Sequence, residues 1–232
     1  MSWSYAYAYR AGEGHGRCDD VCVCETIGDT ILAAVADGAG SAGKAREGAA
    51  TACRTFMDLG VQVLAGSIDP TCLISEIQSK LPSGDLVSHS CTLVAVAAGP
   101  REAVFLQVGD GAAVVRTDDA YRVAIWPEET EFLNHTFFVT APDAADHLLT
   151  YRPTEPIREF ALFTDGLQHL VLNPKLRGPH EPFFRTVFRP LANAPDHDRR
   201  TSWWLERQLG SDHVTKRTDD DTSIVIARRL SC

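Results

Sequence analysis

Acidic residues stand at the ends of apolar segments that are spread along the whole chain. Asp37 follows the apolar segment 31–36 and Asp165 follows the segment 160–164, each directly before a glycine, whereas Asp220 precedes a third apolar segment. A carboxylate at the end of a buried strand is held rigidly, and a neighbouring glycine lets backbone or ligand approach closely. If the three ends converge, they form an oxygen-rich site suited to Mg²⁺ or Mn²⁺. A simple turn is the alternative for each Asp-Gly pair taken alone.

Four short motifs, in this order, resemble those of the metal-dependent Ser/Thr protein phosphatases of type 2C. They are Asp37-Gly38 followed by small residues, Gly109-Asp110-Gly111, Thr164-Asp165-Gly166 and Asp220-Asp221-Thr222. An acidic pair, Asp19-Asp20, falls where that family has its first acidic pair. The match runs from about residue 11 to residue 228. The chain looks like the short, stand-alone bacterial members of the family.

The resemblance implies a site in which two metal ions share a bridging water. By position, Asp37 would bridge both ions and the carbonyl of Gly38 would complete one coordination shell. Asp165 and Asp220 would hold the other ion. Such a pair of ions lowers the pKa of the bridging water and clamps the phosphoryl oxygens during an in-line displacement.

Three further aspartates belong to the metal site that the resemblance implies. Asp110 would help to bind a third ion, as in some family members, although a plain hairpin turn is the alternative because Gly111 replaces the usual serine. Asp19 and Asp20 would hydrogen-bond metal-bound waters, and direct coordination by one of them is the second option. Asp20 is also a catalytic candidate. A solvated acidic turn is the alternative for this pair.

The loop before the acidic pair departs from the larger family. His15 stands four residues before Asp19, where most of the family carries an arginine that grips the substrate phosphate, and Arg17 lies close by. A histidine can donate to a phosphate oxygen or protonate the leaving alkoxide, but it cannot bind in the bidentate way of arginine. His15 is therefore a catalytic and substrate-binding candidate and Arg17 a substrate-binding candidate. An uncommitted histidine in a glycine-rich loop is the alternative.

The segment 126–156 is a candidate flap, because it is irregular and lies between a set of strands and the Thr164-Asp165-Gly166 motif. It resembles the stretch with an Asn-x-Thr sequence in the short bacterial phosphatases, here Asn134 and Thr136. Both are substrate-binding candidates, with loop stabilisation as the alternative. Loops beside a rigid catalytic scaffold commonly carry specificity.

Length, charge and cysteine usage limit the class of protein. A chain of 232 residues fits one domain, here taken as 1–232, and a net charge of −9 argues against non-specific nucleic-acid binding. No apolar run approaches the roughly 20 residues of a membrane helix, and the N-terminus has no signal-peptide pattern. Seven cysteines without a zinc spacing indicate reduced thiols and a cytoplasmic protein.

The elements that must position these residues follow from hydrophobic periodicity. The pattern predicts a hairpin over 20–36, helices over 44–64 and 70–80, and an antiparallel meander of four strands over 91–125. Later elements are short strands at 137–140 and 147–151, a buried strand at 160–164, helices at 181–193 and 199–209, and a closing strand at 222–228. This order predicts an α+β fold with two antiparallel sheets packed face to face and helices outside. The resemblance implies the same four-layer αββα sandwich.

Together these features favour a Mg²⁺- or Mn²⁺-dependent phosphoprotein phosphatase that hydrolyses phosphoserine and phosphothreonine by a metal-activated water. The resemblance implies phosphoprotein substrates and a companion Ser/Thr kinase as partners. A cysteine-based phosphatase is excluded, because no cysteine has an arginine six residues later. A non-catalytic pseudophosphatase, acting as a binding module on the same fold, is the alternative. The presence of Asp37, Gly38, Asp165 and Asp220 argues against it. An unrelated acid-rich hydrolase or a Ca²⁺-binding module is disfavoured, because the sequence contains neither a calcium-binding loop nor a histidine-rich zinc set.

Overall fold

A computed structural model of the protein describes residues 2–117, 120–126, 136–194 and 196–230. Within these ranges the chain forms two five-stranded antiparallel sheets and one two-stranded ribbon. Helices cover the outer faces of both large sheets. None of the helices in these ranges is long and apolar enough to cross a membrane.

Sheet A has the strand order β1-β12-β9-β6-β7, so the N-terminal strand lies at its edge beside the last strand of the chain. Its strands are β1 (Trp3–Arg10), β6 (Ala112–Arg116), β7 (Tyr121–Ile125), β9 (Glu159–Phe163) and β12 (Thr222–Arg229). Sheet B has the order β2-β3-β4-β5-β8. Its strands are β2 (Val21–Ile27), β3 (Thr30–Ala36), β4 (Leu93–Ala98), β5 (Ala103–Val108) and β8 (Leu149–Tyr151).

The helices pack outside the sheets. Sheet B is covered by α1 (Ala45–Leu64) and α2 (Thr71–Lys80), whose buried residues share one hydrophobic cluster with that sheet. Sheet A is covered chiefly by α4 (Glu181–Phe188) and α5 (Arg199–Leu209). The remaining short elements are α3 (Gln168–Val171), β10 (Leu172–Asn173), β11 (Gly178–Pro179) and α6 (Asp212–Thr215).

The strand residues alternate between two hydrophobic layers. In β3, Leu32 packs under the helices of sheet B, whereas its neighbour Ile31 packs between the two sheets. Phe105 of β5 and Phe160 of β9 meet in that central layer, with ring centroids 6.4 Å apart. Because central strands are buried on both faces, their sequences are apolar throughout and not alternating. The predicted four-layer αββα sandwich is confirmed.

The predicted meander is wrong in its pairing. β4 and β5 belong to sheet B, whereas β6 and β7 belong to sheet A, where β6 pairs with β9. Gly109 (φ +96°) and Asp110 therefore do not form a hairpin but lead the chain from one sheet to the other. The hydrophobic period identifies strands but not their partners, which explains the error.

Part of the candidate flap is packed. The segment predicted as a strand at 137–140 forms turns, and Val139 is fully buried, with its amide donating to the carbonyl of Cys91 at 2.9 Å. The side chain of Gln78 donates to the carbonyls of Val139 and Ala141, both at 2.9 Å. The flap interpretation therefore does not hold for this part. It stays a prediction for residues 127–135, which include the candidate Asn134 and lie outside the described ranges.

The long helix predicted over 181–193 is also shorter in the structure. It ends at Phe188, and a separate 3-10 turn, Pro190–Asn193, follows it. Pro190 accounts for the break, because a proline has no amide to donate and its ring clashes with the carbonyl four residues earlier.

Candidate functional site

The site lies at the end of the sandwich where β3 and β9 end and β12 begins. Asp37 directly follows β3, Asp165 follows β9 after one residue, and Asp110 lies in the crossing between the sheets. One carboxylate oxygen from each of the three lies within 4.8 Å of the others. The predicted convergence of Asp37 and Asp165 is therefore observed, and Asp110 joins them.

Asp220 stands beside this group and not within it. It lines an open pocket of about 490 Å³ at the same end of the sandwich. The other residues that line this pocket are His15, Gly16, Arg17, Asp19, Asp37, Gly38, Gly40 and Asp221. Burial is the largest cause of the raised pKa of Asp37 and of Asp165, and the negative charge of Asp220 raises both further, so Asp220 belongs to the same electrostatic site.

The carboxylates strongly disfavour one another's ionisation. Burial, together with the charges of Asp110, Asp37 and Asp220, raises the pKa of Asp165 to about 8. Burial also raises the pKa of Asp20 and of Asp37, and the charge of Asp20 raises the pKa of Asp37 further. Buried like charges of this kind need either protons or a cation. The cluster is therefore chemically suited to a positively charged ligand.

Two carboxylate oxygens in the site accept no hydrogen bond from any donor in the described part of the chain. They are the Oδ1 atoms of Asp20 and Asp110, both buried. The other oxygen of Asp20 accepts from the hydroxyl of Thr164 at 2.7 Å, and the other oxygen of Asp110 accepts from Thr136 at 2.5 Å. Buried polar atoms normally have partners, so these two oxygens fit an ion or its water ligands. Thr136 thus contacts the acidic cluster, and its contact with substrate stays a prediction.

Glycines beside the aspartates allow segments of chain to approach closely. A Cβ atom on Gly166 would lie 2.1 Å from the carbonyl oxygen of Asp221, and one on Gly38 would lie 2.9 Å from that of Asp19. A Cβ atom on Gly12 would lie 2.0 Å from the carbonyl oxygen of Asp219. The contacts of Gly38 and Gly166 support the sequence-based reason for a glycine directly after Asp37 and after Asp165.

The loop that carries His15 is fastened to the start of β12. The Nδ1 atom of His15 lies 2.7 Å from Oδ1 of Asp221, while 45% of the histidine side chain remains exposed. This contact raises the pKa of His15. Burial alone would raise the pKa of Asp221, but hydrogen bonds from two backbone amides and from His15 outweigh it and hold that pKa below its usual range. His15 therefore lies at the pocket, and its contact with substrate stays a prediction.

Two arginines hold the loop with the acidic pair. The Nε atom of Arg17 donates to Asp19 at 2.8 Å, and Arg17 itself is well exposed at the edge of the pocket. Arg46 of α1 donates to the backbone carbonyls of Cys18 and Asp20. Asp20 is fully buried beneath this loop, whereas Asp19 lines the pocket. The two acids of the pair thus have different environments.

Three residues of the site had no role assigned from the sequence. Asp221 belongs to a run of three aspartates, and Thr164 to the Thr-Asp-Gly motif, so both stood next to a candidate without being one. Thr164 also accepts from the amide of Ser223 at 3.0 Å and so joins β9, β12 and Asp20. Arg46 carries no sequence signal, because its contacts are to backbone atoms 26 and 28 residues away.

The fold and the acidic cluster together define the class of metal-dependent phosphatases. The family model described as protein phosphatase 2C matches residues 10–210, and the chain therefore belongs to the protein phosphatase 2C family. The predicted Ser/Thr phosphatase is thereby confirmed, and the non-catalytic alternative is not favoured.

A curated relative and two solved structures agree with this assignment. The chain is 33% identical over 249 residues to serine/threonine-protein phosphatase 3 of Escherichia coli K12, covering 98% of both chains. It resembles in fold a serine/threonine phosphatase from Staphylococcus aureus, with a TM-score of 0.67, 13% identity, and coverage of 100% of this chain and 96% of that one. It also resembles RsbX in complex with magnesium, with a TM-score of 0.61, 16% identity, and coverage of 97% and 94%.

Proposed function

We propose that this protein removes phosphate from phosphoserine and phosphothreonine in other proteins, using Mg²⁺ or Mn²⁺ held by Asp37, Asp110 and Asp165. We expect two ions, with Asp220 and the carbonyl of Gly38 as further ligands, and Asp110 with Asp165 would also hold a third ion. Magnesium and manganese suit the site because its donors are oxygen atoms. When bound, the ions supply a water with a lowered pKa and positive charge near the phosphoryl oxygens.

The observation that carries this proposal is the group of three carboxylates within 4.8 Å of one another. Such a group is unfavourable in the free protein, because burial and mutual repulsion raise the pKa of Asp165 and of Asp37. A cation removes this penalty, which supports binding as the purpose of the arrangement. The cluster, its orphan oxygens and the family assignment all support the same function.

The residues around the cluster have complementary tasks in this proposal. Asp20 accepts from Thr164 with one oxygen and keeps the other for an ion-bound water. His15 lies on the pocket wall where it can contact the phosphate or the leaving oxygen, and Arg17 can attract the phosphate electrostatically from the pocket edge. Asp19 holds Arg17 and borders the pocket. Each task can be tested by replacement.

The direct test is hydrolysis of a phosphoserine peptide with Mn²⁺, with Mg²⁺ and with EDTA. We expect turnover with the ions and none in EDTA. Replacing Asp37, Asp165 or Asp220 by asparagine should each lower the turnover by ~10²-fold or more, because each change removes charge from the site. Asp212→Asn is the matched control, since Asp212 is exposed at the start of α6 and forms a salt bridge with Lys216, the residue that follows this helix. Near-normal activity in any two of the three site variants would exclude the proposed ligands.

A companion Ser/Thr kinase, which would produce the phosphoprotein substrate, remains part of the proposal. So does a cytoplasmic location, for which the sequence gives the reduced cysteines as the reason. The first test of the phosphoprotein partner compares phosphopeptides with intact phosphoproteins as substrates. Hydrolysis of small phosphate esters without hydrolysis of any phosphoprotein would contradict the proposed phosphoprotein substrate.

A further inference from the structure

Asp221 is a buried carboxylate that accepts three hydrogen bonds from the loop facing it. Its Oδ1 atom accepts from the amide of Gly12 at 2.8 Å and lies 2.7 Å from Nδ1 of His15. Its Oδ2 atom accepts from the amide of Asp19 at 2.5 Å. The side chain is only 6% exposed. No role for this residue follows from the metal site, because its oxygens are already engaged with protein donors.

These contacts determine which nitrogen of His15 carries a proton. A carboxylate that already accepts from two amides is stabilised in its ionised form and can only accept. Nδ1 of His15 must therefore donate to it. The second ring nitrogen, Nε2, lies on the other side of the imidazole and thus away from Asp221. Because His15 lines the pocket with Asp37 and Asp220, Nε2 is the nitrogen available to a phosphate ester.

We propose that Asp221 is a positioning residue that fixes His15 as the Nδ1–H tautomer and turns its Nε2 atom to the leaving oxygen of the substrate. This inference rests on the proposed phosphatase function. In the reaction, the bond from phosphorus to the serine or threonine oxygen breaks as the bond to the attacking water oxygen forms. The leaving oxygen keeps the electron pair and takes the proton from Nε2 of the imidazolium. The neutral imidazole then regains a proton from solvent, and Nδ1 stays bonded to Asp221 throughout.

The arrangement resembles in logic the acid–base pairs in which a buried carboxylate orients a histidine. Asp221 follows Asp220 directly, so the same chain segment supplies one proposed metal ligand and the partner of the histidine. Asp220 and Asp19 are the other acidic groups that act on the ring of His15. A structural role is the competing explanation, since Asp221 also anchors the amides of Gly12 and Asp19.

The tautomer can be measured without any change to Asp221. Nitrogen NMR of the ¹⁵N-labelled wild-type protein in EDTA, with His15→Ala to assign the signal among the eight histidines, reports which ring nitrogen is protonated. We expect the neutral His15 to carry its proton on Nδ1. A neutral His15 protonated on Nε2 would overturn the proposal, whatever the activity of the protein.

Kinetics separate positioning from a purely structural role. Asp221→Asn should lower kcat for an alkyl phosphate such as a phosphoserine peptide by about 10- to 100-fold, and for an activated aryl phosphate by less than about 3-fold, because an acidic leaving group needs no proton. In a His15→Ala background the same change should cost less than about 3-fold on either substrate, since its partner is gone. Equal losses in both backgrounds would show a structural role and refute the proposal.

Two controls accompany this cycle. Asp198→Asn changes another carboxylate that accepts from a backbone amide and a hydroxyl, at the start of α5 and outside the pocket, and should leave the ratio of the two substrates unchanged. The Mn²⁺ concentration for half-maximal activity should be similar in Asp221→Asn and wild type, and a large rise would assign the loss to metal binding instead. Wild-type protein without any phosphatase activity would refute the proposed function, whereas the tautomer measurement would still stand.

Discussion

Replacing Asp165 by asparagine is expected to stabilise the metal-free protein while removing its activity. Burial and three neighbouring carboxylates raise the pKa of Asp165 from 3.8 to about 8. A folded-state pKa above the unfolded value means that the protonated form favours folding. The stability linked to this group is thus fully present below about pH 4 and is lost as the pH rises to about 8. Asparagine has a similar size but carries no charge at any pH.

The magnitude follows from the size of the shift. Each pKa unit corresponds to about 1.4 kcal/mol, so a shift of about four units sets an upper limit of about 6 kcal/mol at pH 8. Water entering the open pocket and relaxation of the charged groups reduce this penalty, and we expect a gain of about 2 kcal/mol in Asp165→Asn. For a chain of 232 residues, that is a rise in Tm of about 4–8 °C.

The assay is thermal unfolding in EDTA at pH 5 and at pH 8, with Asp212→Asn as a control for the change in net charge. The gain of Asp165→Asn over wild type should be larger at pH 8 than at pH 5. Adding Mg²⁺ at pH 8 should raise the Tm of wild type more than that of the variant, because the ion neutralises the repulsion. An equal gain at both pH values, or none at pH 8, would refute the reasoning.

Three other expectations concern neighbouring parts of the site. His15→Ala should lower kcat for alkyl phosphates more than for activated aryl phosphates; no loss on either would leave His15 without a role. Gly166→Ala should lower the free energy of unfolding in urea by about 2 kcal/mol or more, because its Cβ would meet the carbonyl of Asp221 at 2.1 Å, and wild-type stability would contradict this close approach. Shortening the segment 127–135 should impair turnover of phosphoproteins more than turnover of aryl phosphates. In hydrogen exchange, the amide of Val139 should exchange as slowly as the amides of β9, and fast exchange there would contradict its packing.

Much of the site could be predicted because its residues sit where apolar segments stop. Asp37 and Asp165 each follow a strand that is buried on both faces, and such strands are visible as uninterrupted apolar runs. The glycines beside them have a local reason that needs no knowledge of the fold. The position of Asp110 is harder to predict from sequence, because a turn between two strands looks the same whether the strands pair with each other or enter different sheets.

The remaining parts depend on contacts that a sequence does not display. The contact between His15 and Asp221 joins residues 206 positions apart, and Asp221 differs from Asp220 in the sequence only by its place in a run of three aspartates. Their different environments arise from the direction of the chain at the start of β12. Both residues border the pocket, but the carboxylate of Asp221 is buried and bonded to the His15 loop, whereas Asp220 is exposed. The partners of β5 and β6 are likewise determined by packing between sheets and not by the alternation within each strand.

The most direct test of the metal site is anomalous scattering from crystals soaked with Mn²⁺, which counts and locates the ions at once. We expect at least two manganese peaks at the end of the sandwich where β3 and β9 end, with carboxylate oxygens of Asp37, Asp110 and Asp165 among the ligands. Crystals of Asp165→Asn should lose at least one peak. Manganese bound elsewhere, or no peak near these three residues in an active protein, would contradict the metal-dependent function assigned to the cluster.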